Sequence, residues 1–303
     1  MASPQEPGQN FIKSSMENLY RAIPPQNKYL LLNAADFGVP QVRERVFIIG
    51  KRYKKIVNPY PRPSHCSQDQ LKENPDMLPY VTLQDAIGDL PPIEAKLTYF
   101  SLEKGVKVSA EKRREIDQIN KTRDNGLDEM PFPWDSFRDF YEKGSIARKN
   151  FLDFIMLGDE VPVLTGHIAR GQQESDIRLF EGMKPGMSSR ALFAPDAPTE
   201  LKELSKLIKY KMDSFDDKYK RLSWERPSNT IFAHMTKDGN RFIHPGQART
   251  LTVREAARIQ SFPDNYEFKA IGNRRFTYIG NAVPPILAHA IAKAIYESLK
   301  NYN

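Results

Sequence analysis

Gln41, Arg43 and Arg45, spaced two apart, are where residue type and spacing in this 303-residue chain point most directly to chemistry. In an extended segment alternate side chains project to the same side, so these three share one surface while Val42 and Glu44 face the other. Two guanidiniums on one surface present rigid forks of donors, suited to a carbonyl oxygen or a phosphate, the groups offered by a base swung out of a duplex. The same residues could instead form ordinary salt bridges with Glu44 or with surface acids. Near the other end, Gly280-Asn281-Ala282-Val283 combines a backbone open to close approach with an amide that both donates and accepts. Taken alone, that segment also reads as a plain turn before the helix that Pro284 and Pro285 begin.

A third candidate is Thr165-Gly166-His167-Ile168-Ala169-Arg170, followed by Arg178. Arginine suits the guanine edge and small polar groups suit phosphates, so His167, Arg170 and Arg178 are candidates for contact with DNA; the alternative is a solvated loop with a structural histidine. His234, His244 and His289 have no acidic or cysteine companions at ligand spacing, which assigns them structural or hydrogen-bonding roles and gives no expectation of a metal. Cys66 is the single cysteine, which excludes an internal disulfide and a multi-cysteine zinc site and agrees with a reducing compartment.

A formal charge of +7 and a pI of 9.2 favour a polyanionic partner, because lysine and arginine that neutralise phosphates release condensed counterions. Basic residues cluster at 112–114 and from Lys202 to Lys220, but acids are interleaved in both places. With 40% hydrophobic and 27% charged residues the composition is that of an ordinary globular protein. No apolar run reaches membrane-spanning length and residues 1–10 do not read as a secretory signal, so a cytoplasmic location is expected.

The elements that must position these side chains read as follows. A helix is expected over 14–22. Short apolar runs at 29–32 and 46–49, the second closed by Gly50, suit strands buried on both faces, as in an α/β sheet. The proline-rich stretch 58–79 reads as a linker. From Tyr80 to Tyr219 the pattern is irregular, with a short helix from Ser109 to Ile119 and aromatics among prolines at 131–134, as in a loop-rich second domain. Thr252-Val253-Arg254-Glu255 is a capping box that opens a helix stopped by Pro263. A further helix starts at Pro284-Pro285 and places Leu287, Ile291, Ala294, Ile295 and Leu299 on one face. No internal repeat is evident.

Three stretches together resemble the later conserved blocks of the bacterial DNA (cytosine-5) methyltransferases, in that family's order. They are Asn33 to Arg45, with its Gln-x-Arg-x-Arg pattern; Arg221-Leu222-Ser223-Trp224-Glu225-Arg226-Pro227-Ser228-Asn229-Thr230-Ile231; and Leu251 to Pro263 followed by Gly280-Asn281-Ala282-Val283-Pro284-Pro285. The resemblance implies an α/β fold: part of a Rossmann-like, S-adenosyl-L-methionine-dependent methyltransferase sheet, with a loop-rich mixed target-recognition domain. The implied boundaries are 1–58 for the last strands of the catalytic domain, 59–248 for linker and recognition domain, and 249–303 for the returning helices. Arg45 is implied to contact the cytosine O2 and a nearby phosphate, with Arg43 and Gln41 supporting the same catalytic site. Asn281, Ala282 and Val283 are implied to close one wall of the S-adenosyl-L-methionine pocket. Ser228 and Thr230 join His167, Arg170 and Arg178 as expected contacts to double-stranded DNA.

The family's chemistry needs a cysteine thiolate to attack carbon 6 of cytosine, carried in a Pro-Cys block placed before the Gln-x-Arg-x-Arg block. Here Cys66 follows that block and has no basic neighbour at a helix terminus, so it is not expected to be the nucleophile. The family's glycine-rich cofactor loop and Glu-Asn block have no counterpart either. The expectation is the recognition-bearing part of a restriction-modification enzyme, completed by a second polypeptide with the missing blocks, or a truncated gene. The rival is a DNA-binding remnant without methylation; a related enzyme acting on transfer RNA is disfavoured by the long insertion between blocks. If a second polypeptide is required, the strands near Tyr29 and Val46 and the last helix leave apolar surface exposed on the isolated chain.

Overall fold

The computed structural model describes residues 30–50, 59–99, 108–156, 161–208, 218–235, 239–270, 272 and 274–300. The helix expected over 14–22 and the side chain of Tyr29 lie outside the described residues. By contacts the chain divides into two units, residues 1–33, 44–62 and 290–303 in one and residues 34–43 and 63–289 in the other. The segment 249–303 is therefore shared between them.

In the first unit, β1 (Leu30–Asn33) pairs antiparallel with β2 (Glu44–Phe47), Leu30 opposite Phe47 and Asn33 opposite Glu44. The apolar runs do form strands, but the expectation of burial on both faces is corrected. Leu32 is buried, whereas Leu31 is 56% and Ile48 49% exposed, with Leu30 and Val46 also exposed. An apolar run specifies that a strand should be covered, not what covers it.

The second unit starts with a 3-10 turn, Ala34–Phe37. The stretch expected as a linker is ordered where it is described: β3 (His65–Cys66) runs parallel to β4 (Leu78–Pro79), and the Ser64 amide donates to the Asp36 carbonyl at 2.9 Å. Its prolines lie outside ladder positions that must donate, so they do not prevent packing. Helix α1 (Leu83–Ile87) opens with a capping box in which Thr82 accepts from the Asp85 amide. The helix expected over 109–119 is α2 (Ala110–Thr122), with Ser109 as its cap and an end three residues further on. Strand β5 (Gly126–Pro131) pairs antiparallel with β6 (Val163–Ile168), and helices α3 (Trp134–Glu142) and α4 (Ile146–Met156) fall between them. Helices α5 (Glu174–Gly182), α6 (Ser189–Leu192) and α7 (Thr199–Ser205) follow. The chain then returns through isolated bridges, among them Arg221 to Ile243 and Ile243 to Thr250, to α8 (Val253–Ile259) and α9 (Arg274–Asn281), and α10 (Pro285–Lys300) begins in this unit and continues from residue 290 in the first.

The core of this unit is built from Leu83, Leu152, Leu164, Ile231, Ile259 and Ile279 with their neighbours, which locks α1, α4, β6, α8 and α9 together. Every residue of α8 is buried, charged ones included. The Thr252 capping box recruits Glu255, and Arg249 grips its carboxylate with two bonds of 2.8 and 2.6 Å. Arg258 reaches Asp264 at 2.6 Å and also Asp89, while Arg254 donates to the Thr165 carbonyl at 2.8 Å. Buried charges of this kind are tolerable only when fully paired, so α8 serves as the hub that fixes β6 and the turn after α1. Burial alone would raise the Glu255 carboxyl, but the Arg249 guanidinium holds it well below the usual carboxylate range.

Candidate functional site

Residues 41–43 form a short bridge rather than a regular strand, and the alternation expected from the sequence holds there: Gln41 and Arg43 are buried and Val42 is 44% exposed. Gly38, at φ +88°, makes the preceding turn; a Cβ there would sit 2.8 Å from the His65 ring, so both conformation and space demand glycine. The Val42 amide donates to the Ser228 carbonyl at 2.9 Å, and the Thr230 hydroxyl returns a bond to the Val42 carbonyl at 2.8 Å. The first and second blocks of the sequence are thereby laced side by side.

The side chains of Gln41 and Arg43 extend that lacing to the third block. Gln41 accepts from the Ile231 amide at 2.6 Å and donates to Gln260. Arg43 Nη1 donates to the Ile231 carbonyl at 2.7 Å, and its Nη2 donates to the carbonyls of Gly280 and Ala282 at 2.9 and 3.3 Å. Gln260 adds bonds to the carbonyls of Ile279 and Ala282 at 3.0 and 2.7 Å. The backbone on both sides of Asn281 is therefore clamped from within, while Asn281 itself is exposed and Val283 is 47% exposed. A Cβ on Gly280 would lie 2.3 Å from the Phe232 backbone, so the close approach expected at this glycine is made to the chain's own main chain.

Gln41 and Arg43 thus hold the site's framework, and their polar atoms face carbonyls and amides of the chain instead of open space. Arg45 differs. It lies in β2 opposite Leu32, is exposed, and donates from Nη1 to the neighbouring Glu44 carbonyl at 2.7 Å. Salt bridges with Glu44 or surface acids, the other reading of these arginines, are not formed by Arg45 among the described residues.

The five residues expected at DNA separate by burial. His167 is fully enclosed, its Nε2 donating to the Pro91 carbonyl at 2.9 Å and its Nδ1 beside the Thr252 hydroxyl at 3.3 Å. Ser228 is 1% exposed and takes part in the bridge to Gln41. Both were expected at DNA, and in this fold both side chains are enclosed, because β6 and the second block are pressed against α8 and residues 40–42. Arg170 is partly buried and donates to the Met235 carbonyl at 3.1 Å, Thr230 is partly buried, and Arg178 is exposed on α5. Cys66, at 4% exposure, is sealed in β3.

Two features had little or no sequence signal. One is the buried arginine network of α8, of which the four-residue spacing of Arg254 and Arg258 was the visible part. The other is a cleft of about 1090 Å³ that adjoins the laced blocks, bordered by Val42, Tyr80, Lys220, Ser223, Arg226 and Asn229. It is assembled from residues far apart in sequence.

Comparison with known proteins adds the following. The family described as C-5 cytosine-specific DNA methylase matches residues 10–297. The type II methyltransferase M.AgeI of Thalassovita gelatinovora is 32% identical over 87% of this chain and 64% of its own length. M.Bpa9945I of Bacillus paralicheniformis is 30% identical over 90% of this chain and 51% of its own length, and DNA (cytosine-5)-methyltransferase 4 of Arabidopsis thaliana is 29% identical over 90% and 17%. The chain thus spans about half to two thirds of the length of the bacterial relatives it matches. Among the described residues no helix is long and apolar enough to cross a membrane.

Proposed function

The chain belongs to the C-5 cytosine-specific DNA methylase family, and from that premise we propose that it is the recognition-bearing part of a type II restriction-modification methyltransferase of the cytoplasm. It binds double-stranded DNA, contributes Arg45 to the extruded cytosine, and supplies one wall of the S-adenosyl-L-methionine site. The observation that carries this reading is the Arg43 clamp, which draws Ile231 and the 280–282 backbone into one framework.

An exposed Asn281 on a backbone fixed at both neighbours fits the wall of a cofactor pocket, since the amide can offer a donor and an acceptor without its main chain moving. S-adenosyl-L-methionine, when bound, supplies the methyl group. Arg45, exposed and free of acidic partners among the described residues, holds the pyrimidine O2 and a flanking phosphate. The nucleophile comes from polypeptide sequence other than these 303 residues, because Cys66 is sealed and follows the arginine block. Exposed Leu30 and Leu31 in β1, Val46 in β2 and Ile48 just after it are the surface on which the polypeptide with the Pro-Cys and glycine-rich blocks completes the sheet.

The test is reconstitution. Mixed with a polypeptide that carries those two blocks, the chain is expected to restore labelled methyl transfer from S-adenosyl-L-methionine to carbon 5 of cytosine in duplex DNA. DNA binding without methyl transfer in that mixture would favour a non-catalytic remnant.

A further inference from the structure

Beside the strand β6 lies a cavity of about 390 Å³. Arg170, Arg275 and Phe276 line it, together with Gly171, Val253 and Gly272. Two arginines and no carboxylate are on its walls. Gly239 makes room for the Arg170 guanidinium, since a Cβ there would lie 2.7 Å from Nη1, while Arg275 Nη1 packs at ordinary contact distance over Gly166. Gly272, at φ +59°, has open space where a Cβ would be, so bare backbone also faces the cavity.

We propose that this cavity grips one phosphodiester of the DNA backbone between Arg170 and Arg275. The inference rests on the reading of the chain as the DNA-recognition part of the enzyme. The Arg275 side chain is only 11% exposed; it spends Nη1 on Asp128 at 2.7 Å and Nε on the Gly272 carbonyl at 3.3 Å, which leaves Nη2 without a partner among the described residues. Asp128 is 58% exposed, so this ion pair is screened and does not cancel the arginine's charge toward the cavity. Burial disfavours the charged form of Arg170, a cost that an anion in the cavity offsets in part. A phosphodiester matches the planar forks, which a point-charge ammonium would not.

The experiment measures equilibrium binding of the full chain to a short duplex over a potassium chloride series. Each phosphate neutralised adds about 0.9 to the slope of log K against log salt. Arg275→Gln and Arg170→Gln are each expected to reduce that slope by about 0.9 and to weaken binding roughly tenfold near physiological salt, and the double variant to lose no more slope than either alone. Asp128→Asn breaks the same ion pair while keeping the guanidinium, so it is expected to leave the slope intact, which separates loss of the phosphate contact from loss of packing. Variants that keep the parent slope would overturn the phosphate site and leave the DNA reading standing. A parent chain that binds no duplex would overturn both. Inorganic phosphate that displaces the duplex from the parent, but not from Arg275→Gln, far more strongly than chloride at equal ionic strength would make this a free-anion site and overturn the proposal.

Discussion

Arg43 Nη2 donates to the Gly280 carbonyl at 2.9 Å, joining residues 237 positions apart in the chain. The same guanidinium reaches the carbonyls of Ile231 and Ala282, so three segments that are remote in sequence meet at one buried cation. Within the Gln-x-Arg-x-Arg pattern the labour is thereby divided. Gln41 and Arg43 hold the framework, and Arg45 keeps an exposed guanidinium.

Arg43→Ala leaves the Ile231 and Gly280 carbonyls without this donor, both in buried bonds, while the Ala282 carbonyl keeps its bond from Gln260, and is expected to lower unfolding free energy by about 3 to 5 kcal/mol in urea titration. Arg45→Ala is expected to change stability by less than about 0.5 kcal/mol and to lower methyl transfer by the completed enzyme about 100-fold. Equal stability losses from the two would refute the division.

Gly280→Ala places a methyl group 2.3 Å from the Phe232 carbonyl carbon and 2.4 Å from the Ala233 nitrogen, both main-chain atoms that cannot swing aside. The expected cost is about 3 kcal/mol or more, read as a lower denaturant midpoint. A neutral substitution would mean that this junction is looser than described.

The part of the fold written locally was legible. Thr252 is a helix cap where the sequence places it, a helix begins beside Ser109, and the apolar runs at 30–32 and 46–47 are strands. The part that depends on remote partners was not. Nothing local distinguishes His167, enclosed by Pro91 and Thr252, from a histidine on a solvated loop, and the burial of Arg249, Arg254 and Arg258 depends on acids and carbonyls supplied from elsewhere. Arginine clusters read as contact surface until their counter-groups are known. The proline-rich stretch was misread for a related reason: its order comes from contacts such as Ser64 to Asp36, across a turn the prolines do not announce.

Stability is expected to fall on mild acidification. Burial holds His244 down to about 3, with Glu255 opposing, and its Nδ1 accepts from the Gly246 amide; burial likewise lowers His167. Both are neutral in the folded chain, whereas the unfolded chain protonates each below about pH 6.5. Their contribution is complete above that pH and is lost as pH falls toward the folded values, at up to about 1.4 kcal/mol per pH unit for a single ring. From His244 alone, urea unfolding at pH 7 and pH 5 is expected to differ by about 2 kcal/mol, a part that His244→Gln removes, with His167 acting in the same direction. A flat profile would show that these rings are solvated.

Exposed Leu30, Leu31, Val46 and Ile48 lead to the expectation that the isolated chain self-associates, as seen by light scattering, and that the polypeptide completing the sheet suppresses this. A monodisperse monomer across a wide concentration range would count against that surface as a docking face.

The most direct test is the methyl-transfer rate of the completed enzyme when this chain carries Cys66→Ala. With the nucleophile on other sequence and Cys66 packed in β3, the rate is expected to match the parent while Arg45→Ala in the same assay abolishes most of it. Loss of methyl transfer from a folded Cys66→Ala chain would put the attacking thiolate in this polypeptide and contradict the assignment.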